Sequence, residues 1–426
     1  MTSTDRIREM SLRARTFKLL FEAWESLHPS LTNNLGIDLA QAIRAYEKLR
    51  FVLSKMSTLL FPWSMPLVGD HMDLHVRAYS GRRGIVITAG NNQAPYLLTS
   101  IPSIRWLGCD LPIEIMYLGD ADLSPSFQAD LESLPGVTIR DLSLMVNDDG
   151  WKLAGWAAKP FSILFSSFRE VMLVDADALF FVDPEVLFDD ASYQDTGTLF
   201  FRDRLFMPES KKEWLNKILP HPPSSKVKES RFWTGESGHM QESGVVLVDK
   251  WRHFVALLMV AKLNGPDRDT RDGKQGVYEM VYGDKETYWL GWEMVGDTDY
   301  TFHGGDAGTM GGIKEIQSQE EQNASNTIDN GSNIDSATIC APQLLHLDSR
   351  NRPIWFNGWL LPNKFKDQGQ QHPGYFEAYL KEPRNIRDPS PWQLGDSNIC
   401  CLTSEYLFNF SEDEKTVINM IINTWK

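Results

Sequence analysis

From Gly84 to Asp177 the chain repeats one pattern: a short apolar run, a break, a helix-period stretch, then the next apolar run. Gly84-Ile-Val-Ile-Thr-Ala-Gly reads as a buried strand opening into a loop, because its apolar residues are continuous rather than alternating. A helix is expected over 94–107. Ile113-Glu-Ile-Met-Tyr-Leu-Gly-Asp reads as a second strand, followed by a helix over 124–133, a third strand over 137–142 and a helix over 157–168. Val171-Met-Leu-Val then leads into Asp175-Ala-Asp177. Strands alternating with helices specify an α/β chain whose mostly parallel sheet is covered by helices, and such sheets bind ligands at the carboxyl ends of their strands. Later strands are expected over 198–201 and 244–249.

The flanks read differently. Phe17, Leu20, Phe21 and Trp24 fall at helical spacing and the pattern returns over 39–53, so residues 1–80 form an N-terminal helical region without evident chemistry. The main domain spans 81–375, with a polar surface stretch over 316–336, and 376–426 is a C-terminal extension. The 426 residues, 42% of them apolar or aromatic, suffice for a large core. The net charge of −15 argues against nucleic acid or anionic membrane as a partner. Residues 1–30 lack the apolar core of a signal peptide, and no run is long enough for a membrane anchor. Four cysteines (Cys109, Cys340, Cys400, Cys401) are too few for a zinc site or a disulfide scaffold; they allow one disulfide without selecting it. Asn323, Asn330 and Asn409 begin N-glycosylation tripeptides, which matter only in a secretory setting. Most of the 14 Trp, 12 Tyr and 22 Phe are expected in the core, although Trp-rich clefts also suit sugars.

The candidate chemistry centres on Asp175 and Asp177, two carboxylates one residue apart at the end of an apolar strand. Such oxygen ligands suit Mn²⁺ or Mg²⁺ bridging to a diphosphate. Carboxylates flanked by buried apolar residues, here also Leu179-Phe-Phe-Val, need a cation to offset their desolvation. His346, in Leu344-Leu-His-Leu-Asp, reads equally as a core residue or as a ligand with Arg352 close behind. Glu242 stands at the entrance to a strand. Asp284 and Glu286 stand at the start of an expected amphipathic helix, where acids are favoured without any function. Lys159 lies on the helix ahead of the Asp-x-Asp strand. Thr88, Gly90 and Asn91 form the loop after the first strand, which suits a nucleotide but lacks the Gly-x-Gly-x-x-Gly turn of dinucleotide enzymes.

In this order the motifs Gly84-Ile-Val-Ile-Thr-Ala-Gly, Val174-Asp-Ala-Asp, Gln241-Glu-Ser-Gly-Val, Gly283-Asp-Lys-Glu-Thr-Tyr-Trp, Cys340-Ala-Pro-Gln-Leu-Leu-His and Arg352-Pro-Ile-Trp-Phe-Asn-Gly resemble the fungal α-mannosyltransferase family of the MNN type, over roughly residues 80 to 360. The layout also resembles the wider glycogenin-like retaining transferases with the GT-A fold. The resemblance implies GDP-mannose as donor, Mn²⁺ (or Mg²⁺) as the ion, an α-linked product on a mannoside or glycan acceptor, and a Golgi setting. It implies Asp175, Asp177 and His346 as metal ligands, and Lys159 and Arg352 at the diphosphate, with Arg keeping the charge of the family's Lys and adding a bidentate fork. It implies Glu242, Asp284 and Glu286 as the acids nearest the sugar. Glu242 and Lys285 depart from the wider family's pattern, so a covalent carboxylate route and front-face attack both remain open. A UDP-sugar transferase and a non-catalytic sugar-binding protein on the same fold are the competing readings.

Overall fold

The computed structural model describes residues 3–28, 38–63, 70–270, 273, 275–318, 334–363, 372–384, 390–395 and 399–425. In chain order the first strands are β1 (Arg83–Thr88), β2 (Ile113–Tyr117), β3 (Val137–Asp141), β4 (Glu170–Val174), β5 (Leu179–Phe180), β6 (Thr198–Arg202) and β7 (Gln241–Asp249). They are followed by β8 (Ala307–Gly311), β9 (Ile313–Ser318), β10 (Ile334–Ala341), β11 (Leu344–Leu347), β12 (Pro353–Asn357), β13 (Ala378–Lys381), β14 (Trp392–Leu394), β15 (Cys400–Ser404) and β16 (Leu407–Asn409). The central sheet has the order β3-β2-β1-β4-β7-β6, with β1 to β4 parallel and β7 antiparallel to both its neighbours. This is an α/β fold: a mixed, mostly parallel sheet covered by helices.

The continuous apolar strands explain why both faces are covered. Successive side chains point to opposite faces. Val86, Leu173, Val246 and Val248 therefore enter one core, and Ile85, Ile87, Met172, Val174, Val245 and Leu247 enter the other. Buried helices Ala158–Phe165, Phe254–Leu263 and Thr287–Val295 close the first face. Helix Ala94–Trp106 closes the second, together with Phe180, Ile354 and Trp355 from a second sheet ordered β16-β13-β8-β11-β12-β5.

Helix Ser3–Glu25 packs on the main domain: Phe17, Phe21 and Trp24 join the first core, and Arg15 donates to the C-terminal carbonyls of Glu293 and Met294 at 2.9 and 3.1 Å. The segment after 375 is built into the second sheet. β13 lies between β8 and β16, and helix Glu412–Trp425 buries Val417, Ile418 and Ile421 in a core shared with Leu179, Leu347 and Phe356. The polar stretch expected over 316–336 begins inside β9 and ends inside β10; its centre, 319–333, with Asn323 and Asn330, lies outside the described residues. Among the described residues no helix is long and apolar enough to cross a membrane.

Cys340 pairs with Cys401 across the β10–β15 ladder, a disulfide the spacing left open. The cross-link closes a loop of 61 residues in the unfolded chain, worth about 4 kcal/mol by loop entropy. Replacing both cysteines by Ser is expected to lower the urea midpoint by a corresponding amount. Equal midpoints for the two proteins would show that the bond does not form.

Candidate active site

A cleft of about 960 Å³ opens at the carboxyl ends of β1, β2, β4 and β6. Because β7 runs antiparallel, its amino end, with Glu242 and Ser243, arrives at the same edge, and the Asp175 amide donates to Gly244 O at 2.8 Å. Asp175, Asp177, Asp203, Glu242 and Asp284 all line the cleft. So many acids in a half-buried space need cations, and two lysines supply them.

Lys159 stands in the first turn of helix Ala158–Phe165 and is buried. Its Nζ lies 2.6 Å from Asp175 Oδ1, 3.8 Å from Asp284 Oδ1 and 3.3 Å from both Ser243 O and Ser243 Oγ. Burial works to lower its pKa, but Asp175 and Asp284 more than offset this and hold the ammonium charged above its usual range. Burial pushes Asp175 up to about 7, against the pull of Lys159 and with the repulsion of Asp177. The second lysine, Lys285, pairs with buried Asp203, which Arg204 also contacts at 3.3 Å. Burial alone would raise Asp203, yet Lys285 and Arg204 hold it well below the usual carboxylate range. Glu242 is raised by burial and by Asp203; its Oε1 accepts from Asn357 Nδ2 at 2.9 Å and from the Gly244 amide at 3.0 Å. Asp284 is raised by burial, and its Oδ2 accepts from Tyr288 Oη at 3.2 Å.

Of the residues singled out from sequence, the cleft brings together Thr88, Gly90, Lys159, Asp175, Asp177, Glu242 and Asp284. The other four lie elsewhere. Asn91 does not line the cleft: its Oδ1 accepts from the Ser124 amide at 2.8 Å and fixes the turn, while Asn92 and Gln93 face inward. Glu286 sits behind the wall. Helix Thr287–Val295 is buried all round rather than amphipathic, so the residue capping it is swallowed, and Glu286 accepts from the Met240 and Gln241 amides and from Trp289 Nε1.

His346 is not among the residues that line the cleft. Leu344 reaches the cleft, but His346 lies two residues further along β11, roughly 7 Å on. Its ring is buried and stacks on Trp355 at 4.0 Å, and a β-bulge follows it. Among the described residues no three His, Cys, Asp or Glu side chains gather as a metal cluster. Arg352 is 64% exposed and pairs with Asp348 at 2.7 Å on the surface, away from the cleft. A count of residues from His346 to Arg352 cannot show which way a bulged hairpin points its side chains.

Sequence reasoning passed over Asp203, Arg204 and Asn357. The first two follow β6 directly, so the rule that sites sit at strand carboxyl ends would have marked them. Asn357 likewise ends a strand, β12, and lies within the Arg352-Pro-Ile-Trp-Phe-Asn-Gly motif, in which no role was attached to it.

A family model described as a mannosyltransferase (Mannosyl_trans3) matches residues 82–348. The chain belongs to this family. It is similar to alpha-1,3-mannosyltransferase MNT3 of Saccharomyces cerevisiae, 28% identical over 412 residues that cover 80% of this chain and 62% of that one. It is also similar to alpha-1,3-mannosyltransferase MNT2 of the same yeast, 26% identical over 413 residues, 83% of this chain and 70% of that one. The chain thus spans about three fifths of MNT3. Among solved structures it is similar to core-mannan synthase A of Aspergillus fumigatus in a Mn/GDP form, with 10% identity, a TM-score of 0.31, and coverage of 53% of this chain and 73% of that one.

His346 offers a direct check on whether its ring belongs to the metal site. Burial lowers its pKa to about 3, so the folded state refuses a proton that an unfolded chain accepts near 6.5. Its contribution to stability is complete above pH 6.5 and is lost as pH falls toward 3. His346→Phe is expected to leave Mn²⁺ affinity unchanged and to flatten the loss of thermal stability below pH 6.5. A fall in metal affinity of about ten-fold or more, the usual cost of disturbing a metal site, would put the ring back among the ligands.

Proposed function

We propose that the protein transfers mannose from GDP-mannose to a hydroxyl of a mannoside or glycan acceptor, with retention of anomeric configuration and with a divalent ion bound. The observation that carries this reading is the Asp175/Asp177 pair at the end of β4, sharing one cleft with Lys159, Glu242 and Asp284 in a chain of the mannosyltransferase family.

The two carboxylates supply hard oxygen donors of the kind that Mn²⁺ or Mg²⁺ takes. Asp175 and Asp177 would hold the ion. When bound, it neutralises charge that develops on the departing diphosphate. Lys159 keeps Asp175 oriented and balances the acids around it. With Arg352 on the surface, Arg204 and Lys285 are the cations that, beside Lys159, line the cleft and can meet phosphate. The polar loop at Thr88, Asn92 and Gln93 faces the nucleoside. In the transfer, the acceptor oxygen bonds to the anomeric carbon as the bond from that carbon to the phosphate oxygen breaks. The bond's electron pair leaves with GDP. The hydroxyl proton passes to the leaving phosphate oxygen if attack is from the same face. If Glu242 or Asp284 first displaces GDP to form a glycosyl ester, the acceptor oxygen then displaces that carboxylate, and the hydroxyl proton passes to a neighbouring carboxylate. Glu242 is the better placed of the two for such a role, since Asn357 and the Gly244 amide fix its carboxylate.

A secretory lumen is the setting we infer. The Cys340–Cys401 disulfide suits an oxidising compartment, and Asn409 of the Asn-Phe-Ser tripeptide is exposed on β16.

The test is mannose transfer from GDP-mannose to methyl α-mannoside with Mn²⁺. EDTA is expected to abolish it and Mn²⁺ to restore it, and Asp175→Asn is expected to lower the rate by roughly a hundred-fold or more with the fold intact. Transfer that survives EDTA, or that proceeds from UDP-glucose and not from GDP-mannose, would overturn the proposal.

A further inference from the structure

The mouth of the cleft carries a feature to which the donor reading above assigns no role. Trp156, Met207, Tyr282 and Leu394 line it, and they are 52%, 57%, 62% and 58% exposed. Large apolar side chains left in water together, beside a polar site, mark a surface built to be covered.

Their placement is specific. Trp156 sits in a short turn, and Gly155 before it has φ +57, a backbone state that favours glycine. Gly283, with φ +67, lies under the indole; a Cβ there would meet Trp156 Cε3 at 2.8 Å. The glycine thus lets the ring lie against the backbone between Tyr282 and Asp284. The Trp156 and Tyr282 ring centroids are 5.3 Å apart, and Phe206 and His239 continue the aromatic line with centroids 5.9 Å apart. Met207 adopts φ +51, a strained state for a non-glycine residue at a site edge. The shelf therefore adjoins Asp284 by chain and Lys159 by helix. The polar loop at Thr88, Asn92 and Gln93 belongs to the β1 end of the same cleft.

We propose that Trp156 and Tyr282, flanked by Met207 and Leu394, form the acceptor subsite. The C–H face of the terminal pyranose of an oligosaccharide stacks on this shelf, which delivers its hydroxyl beside Asp284 and Glu242. This rests on the donor reading above for the direction of transfer, but the binding of sugar to the shelf does not. A pyranose face is apolar while its rim carries hydroxyls, so it covers aromatic rings without stranding polar groups. Cations line the cleft beside the shelf, among them Lys285 with its Nζ 5.3 Å from the Tyr282 ring centroid, and offer donors to those hydroxyls. A guanine base would also stack on such rings, and the experiment separates the two.

The test uses the full chain and α-linked mannobiose. Saturation transfer from protein to sugar protons is measured for the wild type, Trp156→Ala, Tyr282→Ala and Trp156→Phe, alongside GDP affinity in Mn²⁺ and the acceptor KM. Both rings are more than half exposed, so the variants are expected to fold, which their melting curves check. The wild type is expected to bind mannobiose. Each Ala variant is expected to weaken that binding and raise the acceptor KM about ten-fold, the loss of one good contact. GDP affinity stays within about two-fold, well inside that single-contact change, and Trp156→Phe keeps most of the binding. Unchanged mannobiose binding in both Ala variants overturns the proposal, as does its absence in the wild type. Loss of GDP affinity in the same proportion also overturns it and assigns the rings to the base. Mannobiose bound through Trp156 by a protein with no affinity for GDP and Mn²⁺ upholds the shelf and defeats the donor reading instead.

Discussion

The Lys159–Asp175 ion pair is the contact on which the rest of the site depends. Burying several carboxylates near one another costs several kcal/mol unless cations and hydrogen bonds offset it. One buried ammonium at 2.6 Å from Asp175 and 3.8 Å from Asp284 joins the end of β4, the amino end of β7 through Ser243, and the loop before helix Thr287–Val295. Lys285 does the same for Asp203 on the opposite side. The acids face a cleft rather than solvent because these two lysines let them. Removal of Lys159 would leave Asp175 without its buried cation, so the electrostatics that prepare the site also hold three chain segments together.

The second sheet completes the cleft with geometry rather than charge. Asn357, at the end of β12, reaches Glu242, and the Trp359 amide donates to Asp177 O at 3.2 Å. Gly244 is needed where these parts meet, since a Cβ there would touch Asn357 Nδ2 and Trp355 Cζ3, each at 2.9 Å. Trp355 stacks on His346 on its way into the core. The hairpin therefore contributes an amide and a wall, and its histidine ring stacks on Trp355. An ion at Asp175 and Asp177 would draw its remaining ligands from the diphosphate and water, a mode that couples metal binding to donor binding.

Much of this was legible in the sequence, for identifiable reasons. Continuous apolar runs such as Ile85-Val-Ile and Val171-Met-Leu-Val are legible because both faces of a parallel sheet must be buried, and a carboxylate at the end of such a run has few other uses. Lys159 was legible as the cation ahead of that strand. Glu286 was not separable from Asp284, because spacing alone cannot tell that helix Thr287–Val295 is buried all round and takes its capping acid with it. The placing of His346 and Arg352 was not legible for a different reason: the bulge after His346 changes the register between them, and a bulge leaves no mark in a residue count. Trp156 and Tyr282 were hidden among rings of which most are core, and their exposure within the cleft distinguishes them. Likewise the four cysteines stayed ambiguous until the β10–β15 register set Cys340 opposite Cys401.

The central claim is that two carboxylates at the end of β4, without the histidine, hold a divalent ion against a diphosphate. Anomalous diffraction at the manganese edge, from crystals grown with GDP and Mn²⁺, tests it most directly. The account predicts a manganese peak bridging the Asp175 and Asp177 carboxylates and the diphosphate, with the His346 ring still stacked on Trp355. A peak coordinated by His346, or GDP bound in the cleft with no metal at the two aspartates, would contradict it.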